Sequence, residues 1–369
     1  MVKKRIEAVK QALKQKERPS ALIVTSECNR RYMTNLPTSS GYVIITPENN
    51  YFFTDSRYIE AAKKSLGNIY TVDLYPKTHE VKSFYAELLK KEKITDILYE
   101  ENYIYLKTKK HFDEIFEGFT LSESGGVIES MRKIKDDTEI ENITKAQKIT
   151  DAAFTHILEF LPQCLKTVTE TDIAAEIEYF MKKNGAEKAS FDIISVSGKK
   201  SSLPHGKPEN IKLSKGFLVM DFGAMYDGYC SDMTRTVCIG KPSKKMTEVY
   251  NIVKSAQLAA LGAVKAGIEG EQADKTARDI IKGAGYGENF GHTLGHSLGL
   301  EIHESPGLPK SDDKIEEKDK VVLAENNVVT IEPGIYLENE FGVRIEDLVV
   351  VKENGCVNLT HSSKELITL

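Results

Sequence analysis

Two stretches decide the fold: "LVMDFG", residues 218–223, and "VTIEPG", residues 329–334. Each is an apolar run ending in a carboxylate, with glycine two residues later. Short apolar runs bounded by turn residues read as buried strands. A turn and a second carboxylate-bearing strand follow each one: "YCSDMTRT" (229–236) after the first, "VRIEDLVV" (343–350) after the second. The segments leading in also correspond. A long helix over 137–161, a shorter helix "TDIAAEIEYFMKKNGAE" and a strand "FDIISVSG" precede the first pair. A long helix "KMTEVYNIVKSAQLAALGAVKAG", a shorter helix "EQADKTARDIIKGAGYGE" and the stretch "FGHTLGHSLGLEIHE" (290–304) precede the second. One structural plan run twice is expected. The match is weak residue by residue, so chance similarity of two α/β segments is the alternative.

Upstream, the pattern is different. "ALIVT", "GYVIIT", "NYFFTD", "NIYTVDLY" and "ITDILYE" read as strands, interleaved with helical "SRYIEAAKKS", "HEVKSFYAELLKKEK" and "YLKTKKHFDEIFEG". This predicts an α/β domain with a mixed sheet and no glycine-rich phosphate loop. Within it, Asp55 reads as a helix N-cap and Arg57 as a nearby surface charge. Asp136, followed three residues later by Glu139, predicts a capping box that opens the long helix. Ile140, Ile143, Gln147, Phe154, Ile157, Leu158 and Leu161 keep helical spacing until Pro162 and its loop. The expected division is residues 1–127 and 128–369, an α/β (α+β) chain of two domains, as 369 residues suggest.

A net charge of -5, with both signs interspersed, argues against nucleic acid as the main partner and against membrane attraction. No apolar run is long enough to span a bilayer. The start, "MVKKRIEAVKQALKQKERPS", reads as an amphipathic helix with Ile6, Val9 and Leu13 on one face, and not as a signal peptide. Five scattered cysteines without a C-x-x-C pair predict reduced thiols in a cytoplasmic protein.

The carboxylates pose a physical problem. A turn at Asp227-Gly228, or one residue earlier, puts Asp221 and Asp232 opposite or diagonal on antiparallel strands, on one face in either register. The like charges repel, so a cation or a shared proton must compensate; two solvated surface aspartates are the alternative. Glu332 and Glu346 repeat the arrangement across a turn near 338–340. Glu346 interrupts an apolar strand, and burying it is costly unless it is paired. A salt bridge from Arg344 is one solution.

Three of the eight histidines, His292, His296 and His303, fall within twelve residues. As a helix, they would share roughly 40° of arc. A glycine every fourth residue, each costing about 1 kcal/mol relative to alanine, argues against a helix. A strand with glycine-enabled bends, its backbone closely approached at each glycine, fits better. One ligand and two substrate-side or proton-handling groups is the expected division. Four carboxylates and one imidazole would be neutralised by two divalent cations, held about 3.5–4 Å apart to activate a water. Oxygen-rich ligation favours Mn²⁺, with Co²⁺, Fe²⁺ and Zn²⁺ as alternatives.

The motifs "DFGAMYDGYCSDMTRT", "GHTLGHSLGLEIHE", "TIEPGIY" and "VRIEDLVV" resemble, in order and spacing, the proline-specific metallopeptidases. These are the Xaa-Pro aminopeptidases and Xaa-Pro dipeptidases, relatives of methionine aminopeptidase and creatinase. The resemblance spans nearly the whole chain, from "NRRYMTN" and "FFTDSRYIEAA" onward. It implies a creatinase/prolidase-like N-terminal domain followed by a pseudo-twofold pita-bread catalytic domain. It implies Asp221, Asp232, His296, Glu332 and Glu346 as metal ligands, with Asp232 and Glu346 bridging. It also implies Glu332, His205, His292, His303 and Arg344 as catalytic or substrate-side groups, and Tyr336 as an active-site tyrosine. The expected reaction is hydrolysis of the bond before proline by a hydroxide bridging two ions. The expected substrate is a small peptide with proline second, acted on by a homodimer. A general aminopeptidase, an amidinohydrolase of the creatine type and a non-catalytic peptide- or metal-binding protein are the competing readings.

Overall fold

The computed structural model describes residues 1–311, 316 and 320–369. Its chain divides into two compact units, Met1–Arg132 and Lys133–Leu369.

The first unit is built on a six-stranded mixed sheet. Ser20–Val24 lies antiparallel to Tyr42–Ile45, which pairs antiparallel with Asn50–Thr54. Parallel partners extend both sides: Thr71–Leu74 beyond Asn50–Thr54, and Asp96–Tyr99 then Thr120–Glu123 beyond Ser20–Val24. The mixed sheet is as expected. The strand Thr120–Glu123 was not expected, because only Leu121 in "TLSE" carries an apolar side chain. Ile23, Ile44 and Phe53 pack with Tyr85, Leu89, Phe112 and Phe116 of the helices to form the core. In the first helix, Val2–Lys14, the face bearing Ile6, Val9 and Leu13 is buried. Asp55 does not cap a helix. It accepts from the Arg57 amide at 2.9 Å and from its guanidinium, while the helix starts at Ile59 with Tyr58 as N-cap.

In the second unit, the doubled plan is visible as two similar cores. In one, Phe154, Ile157 and Leu161 of the helix Asp137–Cys164, with Ile173, Ile177 and Met181 of Glu170–Lys183, cover Leu218, Met220, Met233 and Val237. In the other, Val253, Ala256 and Ala260 of Lys244–Ala263, with Ala277 and Ile281 of Gly270–Gly283, cover Val329, Ile331, Val343 and Val349. Each core is a helix pair packed on a carboxylate-bearing hairpin. The expected capping box is present: Asp136 accepts from the Glu139 amide and Glu139 from the Asp136 amide, both at 3.0 Å. The helix continues one turn further than expected, with Pro162 inside its last turn. Its missing amide forfeits one helix bond, to the Leu158 carbonyl, and the helix ends two residues later.

Both hairpins break at their carboxylates. Gly216–Phe222 pairs with Met233–Ile239, and the ladder resumes as Ala224–Tyr226 with Tyr229–Cys230 in a separate sheet. The break lies at Gly223, where a Cβ would meet the Ser231 carbonyl oxygen at 1.8 Å. Only glycine lets the strands cross that closely. In the second hairpin, Val328–Ile331 pairs with Asp347–Lys352 and Gly334–Leu337 with Phe341–Arg344. Pro333, which has no amide hydrogen to give a ladder, sits in that break beside Glu332. The hairpins meet where the Glu346 amide donates to the Thr234 carbonyl at 3.2 Å.

Candidate metal centre and active site

These breaks bring the acidic side chains together. Asp221 pairs directly with Thr234, so Asp232 lies diagonal to it, one of the two registers expected. Glu332 and Glu346 face each other across the second break, flanked by the pairs Ile331–Asp347 and Gly334–Arg344. Ligand atoms of Asp232, His296 and Glu346 all lie within 4.8 Å of one another. His296 is on the short strand Gly295–Ser297, which lies between Val328–Ile331 and Glu304–Leu308. Of the three glycines in the histidine stretch, only Gly295 is pressed against backbone: a Cβ there would be 2.0 Å from the Thr330 carbonyl oxygen. At Gly299 the neighbour is the Glu304 side chain, and at Gly291 there is open space. The expectation of close backbone approach at every glycine therefore holds at one position.

The His296 Nδ1 lies 3.2 Å from the Ser297 carbonyl oxygen. A carbonyl can only accept, so Nδ1 carries the hydrogen. Nε2 then points at Asp232 Oδ2 and Glu332 Oε1, at 3.5 and 3.6 Å. A neutral ring would aim its lone pair at two carboxylates, an arrangement that calls for a proton or a metal ion between them.

The acids are in the same position. Asp232 and Glu346 are 4% and 2% exposed. Burial first, and then the neighbouring acids, raise both carboxyls well above the usual range. Glu332 is also raised, chiefly by burial. One oxygen each of Asp221 and Asp232 is buried without a hydrogen-bond partner. Buried polar atoms are rarely left so, and these two face a site that suits hard cations. The donor set of four carboxylates and one imidazole Nε2 fits divalent metal ions.

Arg344 pairs with Asp221, and not with Glu346 as the sequence suggested. Its guanidinium donates to Asp221 Oδ2 at 2.5 Å, to the Tyr336 hydroxyl at 2.7 Å and to Thr234 Oγ1 at 2.9 Å. Thr234 in turn donates to Glu346 Oε2 at 2.7 Å. The Tyr336 hydroxyl lies 3.1 Å from His292 Nε2, while His292 Nδ1 is 2.8 Å from the Thr293 carbonyl oxygen. Nδ1 is therefore the donor, and Tyr336 donates to Nε2. Burial, and then the Arg344 charge, lower His292 to about 3, so it is neutral at physiological pH. Burial holds the Tyr336 phenol up at about 12.

His303 packs against His296 with ring centroids 4.4 Å apart. Burial, and then the His296 ring, lower its pKa. Asp221, Asp232, His205, His292, His296, His303, Glu332, Arg344 and Glu346 all line one cavity of about 720 Å³, with Phe191, Ile193 and Ile302 among its apolar walls. Tyr336 stands behind Arg344 and His292.

Sequence reasoning missed Thr234 and Thr330. Thr330 Oγ1 accepts from the His296 amide at 3.0 Å and lies 3.3 Å from Glu332 Oε1. Each threonine sits two residues from a site carboxylate, on the same face of its strand, and that alternation was the available signal. Arg235 was also missed. Fully buried, it donates to Asp347 Oδ1 at 2.7 Å and to the Glu346 carbonyl at 2.6 Å, fixing the backbone that carries Glu346.

Residues 141–353 match metallopeptidase family M24, and residues 5–134 match the creatinase/prolidase N-terminal domain. The chain is 39% identical over 349 residues to the uncharacterized peptidase YqhT of Bacillus subtilis, covering 94% of this chain and 95% of that one. It is 38% identical over 354 residues to a Xaa-Pro dipeptidase of Pyrococcus horikoshii, covering 94% of each. The solved structure of a Xaa-Pro dipeptidase from Bacillus anthracis superposes with a TM-score of 0.92 at 39% identity, covering 100% of both chains. Among the described residues, no helix is long and apolar enough to cross a membrane. The chain belongs to metallopeptidase family M24, with a pita-bread peptidase domain behind a creatinase/prolidase N-terminal domain.

Proposed function

We propose that this chain is a metalloexopeptidase that cleaves the bond between an N-terminal residue and a following proline. One observation carries this reading furthest: ligand atoms of Asp232, His296 and Glu346 lie within 4.8 Å of one another in a cavity that Asp221 and Glu332 also line. The Xaa-Pro dipeptidases among the relatives and solved structures support the substrate class. Asp221, Asp232, His296, Glu332 and Glu346 would hold two divalent ions. Mn²⁺ suits so oxygen-rich a set. When bound, the ions supply Lewis-acid polarisation and a nucleophilic water at neutral pH.

The remaining steps belong to side chains of this chain. Glu332, as an ionised carboxylate, takes the proton of the attacking water at a carboxylate oxygen and passes it to the departing proline nitrogen. That nitrogen is a tertiary amide and has no hydrogen of its own. His303, neutral beside His296, donates to the oxygen that develops charge. His292 and His205 orient the peptide from the cavity wall. Arg344 and Tyr336 hold Asp221 and His292 in register. Phe191, Ile193 and Ile302 offer apolar surface to a proline ring. Five cysteines in the thiol form fit a reducing, cytoplasmic setting. The homodimer rests on the family resemblance alone, and sedimentation velocity tests it.

The test is product analysis with Xaa-Pro, Xaa-Pro-Yaa and Xaa-Ala peptides, supplying Mn²⁺, Co²⁺ or Zn²⁺ in turn after chelation. Release of the N-terminal residue from the proline series alone is the expected result. Equal cleavage of Xaa-Ala would make the chain a general aminopeptidase, and no cleavage in any arm would make it a binding protein.

A further inference from the structure

A buried ion pair supports the strand that carries His296 and the strand Glu304–Leu308, which His303 immediately precedes. Lys135 precedes the long helix and is 1% exposed. Its ammonium lies 3.3 Å from Glu304 Oε2, and the Glu304 side chain is 5% exposed. The same ammonium is 3.3 Å from Ser297 Oγ. Ser297 and Glu304 are direct cross-strand partners, so their side chains share a face. His296 and His303, each one residue earlier, line the cavity instead. Those two rings pack at 4.4 Å in the cavity.

The Glu304 carboxylate also organises the turn between the strands. Its Oε1 accepts from the Glu301 amide at 3.1 Å. It fills the space above Gly299, where a Cβ would come within 2.7 Å of it. The Gly299 amide donates to the Glu301 carbonyl at 3.0 Å, and the Gly299 carbonyl accepts from the Cys230 amide at 2.7 Å. Lys135 is itself anchored by its backbone, which donates to the Asn326 carbonyl at 3.0 Å.

We propose that Lys135 is a positioning residue: by bridging Ser297 and Glu304 it sets the separation and tilt of His296 and His303. Its effect on turnover rests on the peptidase reading above. A ligand and a donor to the reacting carbonyl must keep their spacing as charge develops, and small misplacements cost catalysis more than binding.

The test uses K135M/E304Q, which removes both charges of this ion pair together. K135R is the conservative control. The double variant is expected to melt within about 3 °C of the parent. It should still lose about tenfold or more in kcat on a Xaa-Pro peptide, with KM changed by less than about threefold. K135R should recover most of that loss. Crystal structures of the metal-free double variant and parent supply a readout independent of activity: the His296–His303 ring separation should widen in the variant. Parent-like kcat in the folded double variant, or ring packing unchanged from the parent, overturns the proposal. If the parent itself cleaves no Xaa-Pro peptide, the peptidase reading fails, and the ring separation alone decides the positioning role.

Discussion

Arg344 and Asp221 form a partly buried ion pair, Nη2 to Oδ2 at 2.5 Å, and the same guanidinium holds Tyr336 and Thr234. With the Pro204 carbonyl at 3.3 Å it has four acceptors on one planar fork, one more than a lysine ammonium has hydrogens. R344K should therefore retain part of the activity and R344M almost none, by initial rates on a Xaa-Pro peptide. In urea titrations of the metal-free protein, R344M should lose about 1–3 kcal/mol, because Asp221, partly buried among the other site acids, is left without its cation.

The acids at the centre are expected to behave in the opposite way. Asp232 and Glu346 repel each other and their neighbours in the metal-free fold. D232N or E346Q should raise metal-free stability, by on the order of 1 kcal/mol, while abolishing Mn²⁺ uptake and turnover. Calorimetry and metal analysis of the same samples check both halves. A metal-free variant less stable than the parent would show that the site is not strained by its own charge.

A pH dependence follows. Both carboxyls have folded-state pKa values above their unfolded ones. The stability they contribute is present below the unfolded pKa and lost as pH rises through the folded value. Mn²⁺ competes with those protons. The rise in melting temperature on adding Mn²⁺ should be larger at about pH 8 than at about pH 5.5.

His292 has the reverse sign. Its pKa falls from 6.5 to about 3 on folding. Its contribution is present above the unfolded value and lost as pH falls from there toward the folded one. Relative to H292F, the metal-free parent should lose stability over that window, as read from melting temperatures at each pH.

Much of this was legible in the sequence, and the exceptions have physical causes. The doubled plan could be read because apolar strands, carboxylates and glycines recur in one order, and a fold must bury each copy. The diagonal of Asp221 and Asp232 could be read because alternation and the Asp227-Gly228 turn are local rules. The partner of Arg344 could not. Arg344 shares a strand face with Glu346 in sequence, but its pairing with Asp221 depends on how the two hairpins cross. The same holds for Lys135 with Glu304 and Arg235 with Asp347, buried pairs more than a hundred residues apart in the chain. The three glycines of the histidine stretch looked alike in sequence, yet only packing distinguishes them. G295A should cost about 3 kcal/mol or more, and G291A less than about 0.5 kcal/mol, in denaturant titrations.

The central claim is that five side chains from two hairpins and one histidine strand enclose a pair of divalent ions. Anomalous diffraction from crystals soaked in Mn²⁺ measures this directly. The expected result is two peaks about 3.5–4 Å apart, bounded by Asp221, Asp232, His296, Glu332 and Glu346. A map with no peak among these residues, or with Mn²⁺ bound only elsewhere on the chain, would contradict it.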